Sequence, residues 1–288
     1  MGQMQGISRH LAQEGVASQK RLALAQELCH RAEQRQAWLL EQQEQYRDRL
    51  SFTAAKPHEP LGTRIQLPEP PQLQAVVATD GSQIAPSHHE IAYCYLINIG
   101  RVAIHYGQSR YPLLDSVPEV FYQSEDLYYA RQWGIRTEEW FSYRRAVSEV
   151  QALAQLATQV AEDAKSALPI LALVDGSLIY WFLENLPEEP RYKILTDLLT
   201  AWEQLRALRI PLVGYVSASR NTEALNFLRL EACPYGSPDC LKHCHELDYS
   251  PPCQGVTPLR DVSLWQTLLQ PGDRGALFQS QSRILQWY

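Results

Sequence analysis

AVVATDGSQI at residues 75–84 and LALVDGSLI at residues 171–179 share one pattern, an apolar run followed by Asp-Gly-Ser and another apolar residue. A continuous apolar run with β-branched residues indicates a strand buried on both faces, as in the parallel sheets of α/β proteins. In such sheets, ligands bind at the carboxyl ends of the strands. The repeated pattern therefore predicts two buried strands that end at one edge of a sheet, with Asp80 and Asp175 at that edge.

A shared sheet edge would bring the two carboxylates together. Two partly buried carboxylates repel each other and need a cation or a shared proton. Mg²⁺ and Mn²⁺ bind carboxylate oxygens, and two-metal sites catalyse in-line phosphoryl displacement. A third carboxylate is expected from the predicted helix before the second strand, where Glu149 in YRRAVSEV (143–150) is the first candidate and Glu162 competes with it.

A less specific interpretation stays open for the same residues. Each Asp-Gly-Ser is then only a turn that ends a strand, in which the Asp and Ser side chains make local hydrogen bonds. Two copies, each after an apolar run, favour a shared site instead. Arg144 and Arg145 precede Glu149 on the predicted helix, and Arg220 follows the strand predicted at 210–217. These three arginines are candidate phosphate contacts, with plain surface positions as the alternative.

The body of the chain alternates predicted strands and helices, which indicates an α/β sheet. A tight joint at Gly100 is expected between two successive strands, and residues 108–140 form an aromatic-rich, irregular segment. The strands are predicted at 73–80, 91–100, 101–107, 168–175 and 210–217, and the helices at 137–165 and 191–208.

The chain is predicted to have three consecutive parts. Residues 1–53 form an N-terminal helical arm, residues 54–72 a Pro-rich connector, and residues 73–288 the body. The arm is expected to be one long helix with a break near Gly15, because leucines recur at helical spacing. These are Leu11, Leu22, Leu28, Leu39 and Leu50. Its apolar stripe either packs within the chain or docks a second subunit or partner.

Composition excludes some classes of protein. The 288 residues are 45% hydrophobic, which is enough for a sizeable core, and the formal net charge is −6. That charge disfavours a generally basic protein that coats nucleic acid, but it allows a local basic groove. The sequence shows no 18-residue apolar stretch and no signal peptide, so a soluble, cytoplasmic protein is expected. A phosphate-binding glycine motif of an ATP-handling enzyme is also missing from the sequence.

Cysteines are concentrated near the C-terminus. The segment at 232–254 contains Cys233, Cys240, Cys244 and Cys253, with His243 and His245 between them. The C-x6-C-x3-C-x8-C spacing is not that of a standard zinc finger. A polar, Pro-rich loop nevertheless gains stability from a bound metal. Three interpretations stay open: a structural Zn²⁺, in which a histidine can replace one cysteine, an iron–sulfur cluster, and thiols that are free or form disulfides.

Several of these motifs together resemble a known family. The sequence is similar to NurA-domain proteins, the nuclease partners of the HerA ATPase in prokaryotic DNA-end processing. The first of the matching segments is the most specific, because DGSQ followed by a His and then by LINIG is an unusual combination. The segments are TDGSQIAPSHHEIAYCYLINIG (79–100), YRRAVSEVQAL (143–153), LALVDGSLIYW (171–181) and IPLVGYVSASR (210–220).

The resemblance implies both a fold and a function. The fold is an RNase H-like (PIWI-like) mixed sheet flanked by helices. The function is Mn²⁺- or Mg²⁺-dependent hydrolysis of DNA by a homodimer that works with a HerA-like ATPase. By motif match, Asp80 and Asp175 bind the metal, and Glu149 is a weaker match for a third ligand or a base.

The sequence departs from the family pattern in two places. Family members continue with a terminal helix that carries a metal-site His, whereas no His follows His245 here. The chain is therefore expected to be shorter than the family at its C-terminus, with His89 as a substitute ligand or with an incomplete site. Archaeal relatives often carry a Lys where this chain has Arg220. The alternative function is a catalytically weakened DNA-binding or adaptor subunit that docks a HerA-like ATPase.

Overall fold

The computed structural model describes residues 2–85, 93–163, 168–245, 247 and 249–287, without the side chains of residues 2–9, 11, 12 and 287. His89, the predicted substitute ligand, lies outside the described residues. The helices are α1 (Gly2–Gln34), α2 (Gln36–Gln45), α3 (Ser124–Tyr128), α4 (Thr137–Asp163), α5 (Glu188–Ala207), α6 (Glu223–Glu231), α7 (Cys240–His243) and α8 (Asp261–Leu268). The strands are β1 (Lys56–Pro57), β2 (Ile65–Gln66), β3 (Gln74–Ile84), β4 (Tyr95–Tyr106), β5 (Leu113–Phe121), β6 (Ile170–Asp175), β7 (Leu212–Tyr215), β8 (Asp273–Arg274) and β9 (Phe278–Gln279).

Packing divides the chain into two compact units. The helical unit consists of the chain up to Glu69 together with Ala218–Arg283, and the sheet unit consists of Pro70–Ser217 together with the last residues from Ile284 onward. The prediction placed arm, connector and body one after another, whereas the observed helical unit combines the N-terminal segment with residues 218–283. A segment that returns over more than 150 residues leaves no periodic signal in the sequence.

The sheet unit is built on a mixed sheet. Over the described residues it has five strands in the order β5-β4-β3-β6-β7. The pairs β3–β4 and β4–β5 are antiparallel, whereas β3–β6 and β6–β7 are parallel. This arrangement confirms the predicted mixed α/β sheet, and it makes β3 and β6 direct neighbours.

Two predicted boundaries in this sheet were wrong. Asp80 lies within β3 and not at its end, because β3 pairs with β4 over all 11 of its residues. The predicted joint at Gly100 is absent, since β4 runs unbroken through this residue and Gly100 pairs with Asp80. Both strands continue past the predicted ends because each satisfies the backbone hydrogen bonds of the other.

β5 lies in the segment that was predicted to be irregular. It pairs with β4 and forms the edge of the sheet. Its sequence includes Pro118 and is mostly exposed, as edge strands tolerate. Because the strand is neither apolar nor alternating, its sequence pattern does not indicate a strand.

α4 is the central helix of the sheet unit and contacts several of its elements. It packs across β3 and β4 on one side and against α5 on the other. Every second residue of β3 is buried beneath it: Ala75, Val77, Thr79 and Gly81. The buried Thr79 hydroxyl donates a hydrogen bond of 2.8 Å to the carbonyl oxygen of Glu149. This contact fixes α4 along β3.

The N-terminal arm is helical as predicted, but its break was placed wrongly. α1 continues through Gly15, and the interruption falls at Arg35, whose φ of −118° is not helical. From Ala25 onward the apolar stripe of the arm is buried in the helical unit, where α1 packs against α6 and α8. This part of the arm is a packing helix. No helix in the described part of the chain combines the length and apolar character needed to cross a membrane.

Substitutions along α1 should separate its buried part from its exposed part. Leu28 is 1% exposed and Val16 is 55% exposed. We expect Leu28→Ala to lower the free energy of unfolding by about 2–5 kcal/mol, because it leaves a cavity. Val16→Ala should change it by less than about 0.5 kcal/mol. Urea unfolding of both variants checks this, and equal losses would contradict the assignment of Leu28 to the core.

Candidate functional site

The two Asp-Gly-Ser motifs come together at the centre of the sheet. The parallel register of β3 and β6 ends at the pair Thr79–Val174, so Asp80 and Asp175 occupy the next position on neighbouring strands. Both aspartates are exposed, and both line one open depression of about 550 Å³. Asp80 and Asp175 therefore stand at adjacent positions and line the same depression, although only Asp175 ends its strand.

The glycines of the two motifs have different tasks. Gly176 has a φ of +117°, a backbone conformation that favours glycine, and it turns the chain out of the sheet after Asp175. Ser177 then accepts a hydrogen bond of 2.9 Å from the backbone N–H of Ile179. The turn interpretation thus fits the second motif locally. The first motif remains in the strand.

Gly81 is needed for close packing. A Cβ atom there would lie 2.8 Å from Cγ of Arg145 and closer still to a carboxylate oxygen of Glu149. Real Cβ atoms do not approach other heavy atoms so closely. The absence of a side chain therefore lets α4 approach β3 and lets the Glu149 carboxyl lie directly over the strand.

Glu149 is the buried member of the site. Its side chain is 21% exposed. The pKa of its carboxyl is raised to about 7, mainly by burial. The positive charge of Arg145 and the hydrogen bond from the Gly81 N–H lower this pKa but offset the burial only in part. The negative charges of Asp80 and Asp175 also contribute to the raised value. Both aspartates are thus close enough to act on Glu149, and we call these three residues the carboxylate cluster.

The competing carboxylate is too far along the helix. Glu162 follows Glu149 by 13 residues on α4, which corresponds to roughly 20 Å at 1.5 Å per residue. It is also exposed. The structure therefore favours Glu149 as the third member.

The three predicted arginines are not in one place. Arg145 donates a hydrogen bond of 2.8 Å to the carbonyl oxygen of Gly81, and its Nε lies 3.7 Å from Glu149. The Arg144 guanidinium lies 5.5 Å from the ring of Phe121, which pairs with Tyr95 at one end of the β4–β5 ladder. Arg220 belongs to the helical unit. Arg145 is therefore the predicted arginine that contacts the cluster directly.

An ion pair that was not predicted from the sequence lies in the same depression. Arg101 on β4 forms two hydrogen bonds, of 2.8 and 2.6 Å, with the Asp115 carboxylate on β5. The pair raises the pKa of Arg101 and lowers that of Asp115. Arg101 is the one Lys, Arg, Asp or Glu in the sequence of β4. A single charged residue in an otherwise uncharged strand is a signal that could have identified Arg101 as a site residue. Asp115 left no such signal, because its strand was not recognised.

The predicted cysteine site lies in the helical unit. Cys233, Cys240, Cys244 and Cys253 line one small cavity, and all six cysteines of the described chain are free. The ring of His243 stacks on Tyr235 at 4.3 Å. In the described part of the chain, no three His, Cys, Asp or Glu side chains converge closely enough to hold a metal ion as they stand.

The NurA domain family model matches residues 74–285. This chain belongs to the NurA domain family. The match contains the whole carboxylate cluster and the four clustered cysteines, and it confirms the family resemblance. Numbered within the sheet unit, the strand order 3-2-1-4-5 is that of an RNase H-like sheet, which confirms the predicted fold class.

Two solved structures resemble this NurA domain. The NurA nuclease from Sulfolobus solfataricus is 14% identical over 68% of this chain and 61% of its own, with a TM-score of 0.30. LC9-RNase H1, a type 1 RNase H with the type 2 active-site motif, is 10% identical over 57% of this chain and 72% of its own, with a TM-score of 0.23. This chain thus spans less than two thirds of that NurA nuclease. A search of the curated proteins found no match.

Two glycines of the NurA domain provide a matched test of the packing at the cluster. We expect Gly81→Ala to lower the free energy of unfolding by about 1–3 kcal/mol, because its Cβ forces Glu149 and Arg145 to move. Gly100→Ala should be tolerated, since its Cβ would find the nearest atom, the carbonyl oxygen of Asp80, at 3.5 Å. Urea unfolding of both variants checks this. Equal losses would show that α4 does not depend on the bare backbone at Gly81.

The raised pKa of Glu149 makes the stability of this NurA domain depend on pH. The ordinary pKa of the carboxyl is about 4.5, whereas in the folded chain it is about 7. The folded state therefore binds this proton more tightly. The resulting stabilisation is complete below about pH 4.5 and is lost as the pH rises through about 7. The pKa difference, 7 minus 4.5, corresponds to a change in the free energy of unfolding of at most about 3 kcal/mol.

We expect Glu149→Gln, which is neutral at every pH, to be more stable than the wild type at pH 8 by up to about 3 kcal/mol. At pH 4.5 the two proteins should be close in stability. Urea unfolding in EDTA across this range measures the difference. Glu162→Gln removes an exposed carboxylate from the same helix and controls for the loss of one charge. Parallel pH profiles for the two variants would contradict the burial of Glu149.

Proposed function

We propose that this NurA domain is a metal-dependent DNA nuclease in which the carboxylate cluster binds Mn²⁺ or Mg²⁺. The observation that carries the proposal is that Asp80 and Asp175, at adjacent positions on β3 and β6, line one open depression, while the buried Glu149 of α4 is close enough to feel the charge of both. Family membership supports phosphodiester hydrolysis as the reaction. DNA-end processing is the setting that the family resemblance implies.

The donor chemistry of the cluster fits a hard divalent cation. Asp80 and Asp175 bring carboxylate oxygens to the depression, and Glu149 lies close by on the α4 side of β3. Oxygen ligands are what Mn²⁺ and Mg²⁺ take. A bound ion would supply an activated water and stabilise charge on the reacting phosphate. Asp80 and Asp175 would hold it from the open side, and Glu149 would be the third ligand or accept a proton from the water.

Other side chains position the reacting groups. Arg145 and the Gly81 N–H both favour the ionised form of Glu149 and fix its direction. The open depression gives a nucleic-acid strand access to Asp80 and Asp175. The net charge of the chain is −6, so local arginines are the proposed phosphate contacts of the chain. Arg145 contacts the cluster directly, and Arg144 and Arg220 are proposed as further phosphate contacts.

A second candidate function keeps the fold without efficient cleavage. The observation that favours a DNA-binding or adaptor subunit is that, among the described residues, no three metal-ligating side chains stand at binding distance. In both cases, the proposed partners are a HerA-like ATPase and a second copy of the chain, and the cytoplasm is the proposed place of action. The two candidates differ in whether the wild-type chain cleaves DNA.

Cleavage of labelled linear DNA tests the proposal. We expect cleavage by the wild type in Mn²⁺ or Mg²⁺ and none in EDTA. Asp80→Asn and Asp175→Asn should each reduce the rate by roughly 100-fold or more, because each removes a metal ligand. Asp163→Asn is the control, since Asp163 is an exposed residue of α4 that pairs with Arg110.

The outcomes separate the two candidates. Loss of cleavage in the two cluster variants, with activity kept in Asp163→Asn, supports the nuclease. If the wild type binds DNA in a gel-shift assay but does not cut it in either metal, the adaptor function is favoured. Equal activity in all four proteins would place the chemistry outside the carboxylate cluster.

A further inference from the structure

A second group of metal-ligating side chains lies in the helical unit, apart from the carboxylate cluster. Cys233 follows α6, Cys240 and Cys244 stand at the start and just past the end of α7, and Cys253 lies in the short 3-10 turn at 252–254. The four are separated by up to 20 residues in sequence. All of them line one small cavity, together with Phe52, Tyr235 and several other residues.

Local structure explains how two of these cysteines face the same way. The backbone N–H of Cys244 donates a hydrogen bond of 2.9 Å to the carbonyl oxygen of Cys240. The two residues are therefore one helical turn apart and share a face. The side chain of Asp239 caps this turn by accepting from the Lys242 N–H at 3.0 Å, and it also pairs with Arg49 at 2.7 Å. The turn is held in place, so the pair of thiols is preorganised.

The surrounding segment has little else to order it. Of its described residues between 233 and 254, Pro238, Asp239 and Cys253 are buried, and none belongs to the hydrophobic core of the helical unit. Fixing a loop of this length has a large entropic cost that apolar contacts normally offset. Here they are scarce, and a metal bound by side chains from separate parts of a loop is a known replacement.

The thiols also influence one another. Cys233 interacts electrostatically with Cys240 and Cys253, and Cys244 interacts with the other three, so the four thiols are neighbours. The Arg229 guanidinium lies 3.9 Å from Sγ of Cys253.

We propose that Cys233, Cys240, Cys244 and Cys253 bind one structural Zn²⁺. Four thiolates are a ligand set that zinc takes in closed structural sites. The cavity that the four cysteines line leaves room for about 10 Å³, which is roughly one water-sized sphere. The sulfurs still have to close in by side-chain rotation, because no three described ligands already stand at metal distance. This site is independent of the proposed nuclease function.

The metal content of the wild-type protein is the first test. The full chain is purified without chelators or a nickel column and analysed by plasma mass spectrometry. We expect about one zinc per chain, released in step with the modification of four of the six thiols by an organomercurial. Cobalt substituted for zinc should give the strong visible absorption of tetrahedral thiolate coordination. Zinc-free protein with six reactive thiols overturns the proposal, as does a disulfide or iron with acid-labile sulfide.

Matched variants identify the ligands and separate this site from the carboxylate cluster. Cys240→Ser and Cys253→Ser should each lose most of the zinc. Cys94→Ser, which alters a free thiol of the sheet unit, should keep it, and so should Asp80→Asn. If both Cys240→Ser and Cys253→Ser retain their zinc, the assignment of the ligands is overturned. If these variants do not fold, the stoichiometry of zinc release from the wild type still decides the result, and it does so whether or not the chain cleaves DNA.

Discussion

The close approach of α4 to β3 is the constraint on which the rest of the site depends. Gly81 has no side chain, so the helix can lie directly over the strand, and the Thr79 hydroxyl bonds the helix carbonyl at Glu149. This contact determines where Glu149 points, how deeply it is buried and which groups surround it. It also leaves the opposite face of β3, which carries Asp80, free to line the open depression.

The same packing produces an electrostatic conflict. Glu149 loses hydration and faces two further carboxylates, while Arg145 offsets this only in part, since the pKa is still raised to about 7. A core selected for stability alone would place an apolar or neutral side chain there. Buried groups with strongly perturbed pKa values are enriched at functional sites. The conflict is a physical reason to assign a function to the cluster that does not rely on relatives.

Much of the sheet unit could be predicted, since its central strands and helices have strong patterns. β6 and α4 fall close to their predicted positions, because a buried strand and an amphipathic helix are determined by local periodicity. β5 and the unbroken course of β4 could not be predicted, because both depend on pairing between distant residues. For the same reason, the ion pair of Arg101 and Asp115 was missed: neither residue shows its partner in the sequence. α1 continues through the exposed Gly15 because a single glycine costs a helix only about 1 kcal/mol, and no sequence signal marked the break at Arg35.

The sequence by itself determined the residue types of the site, the alternation of strands and helices, and the resemblance to the NurA family. It also showed that cysteines cluster near the C-terminus. Only the tertiary structure decided that one Asp-Gly-Ser lies within a strand and the other at a strand end, and that Glu149 joins Asp80 whereas Glu162 does not. Periodicity in the sequence indicates which face of a segment is buried. Which segments pack against each other depends on strand register and on where small residues permit close approach, as Gly81 does for α4.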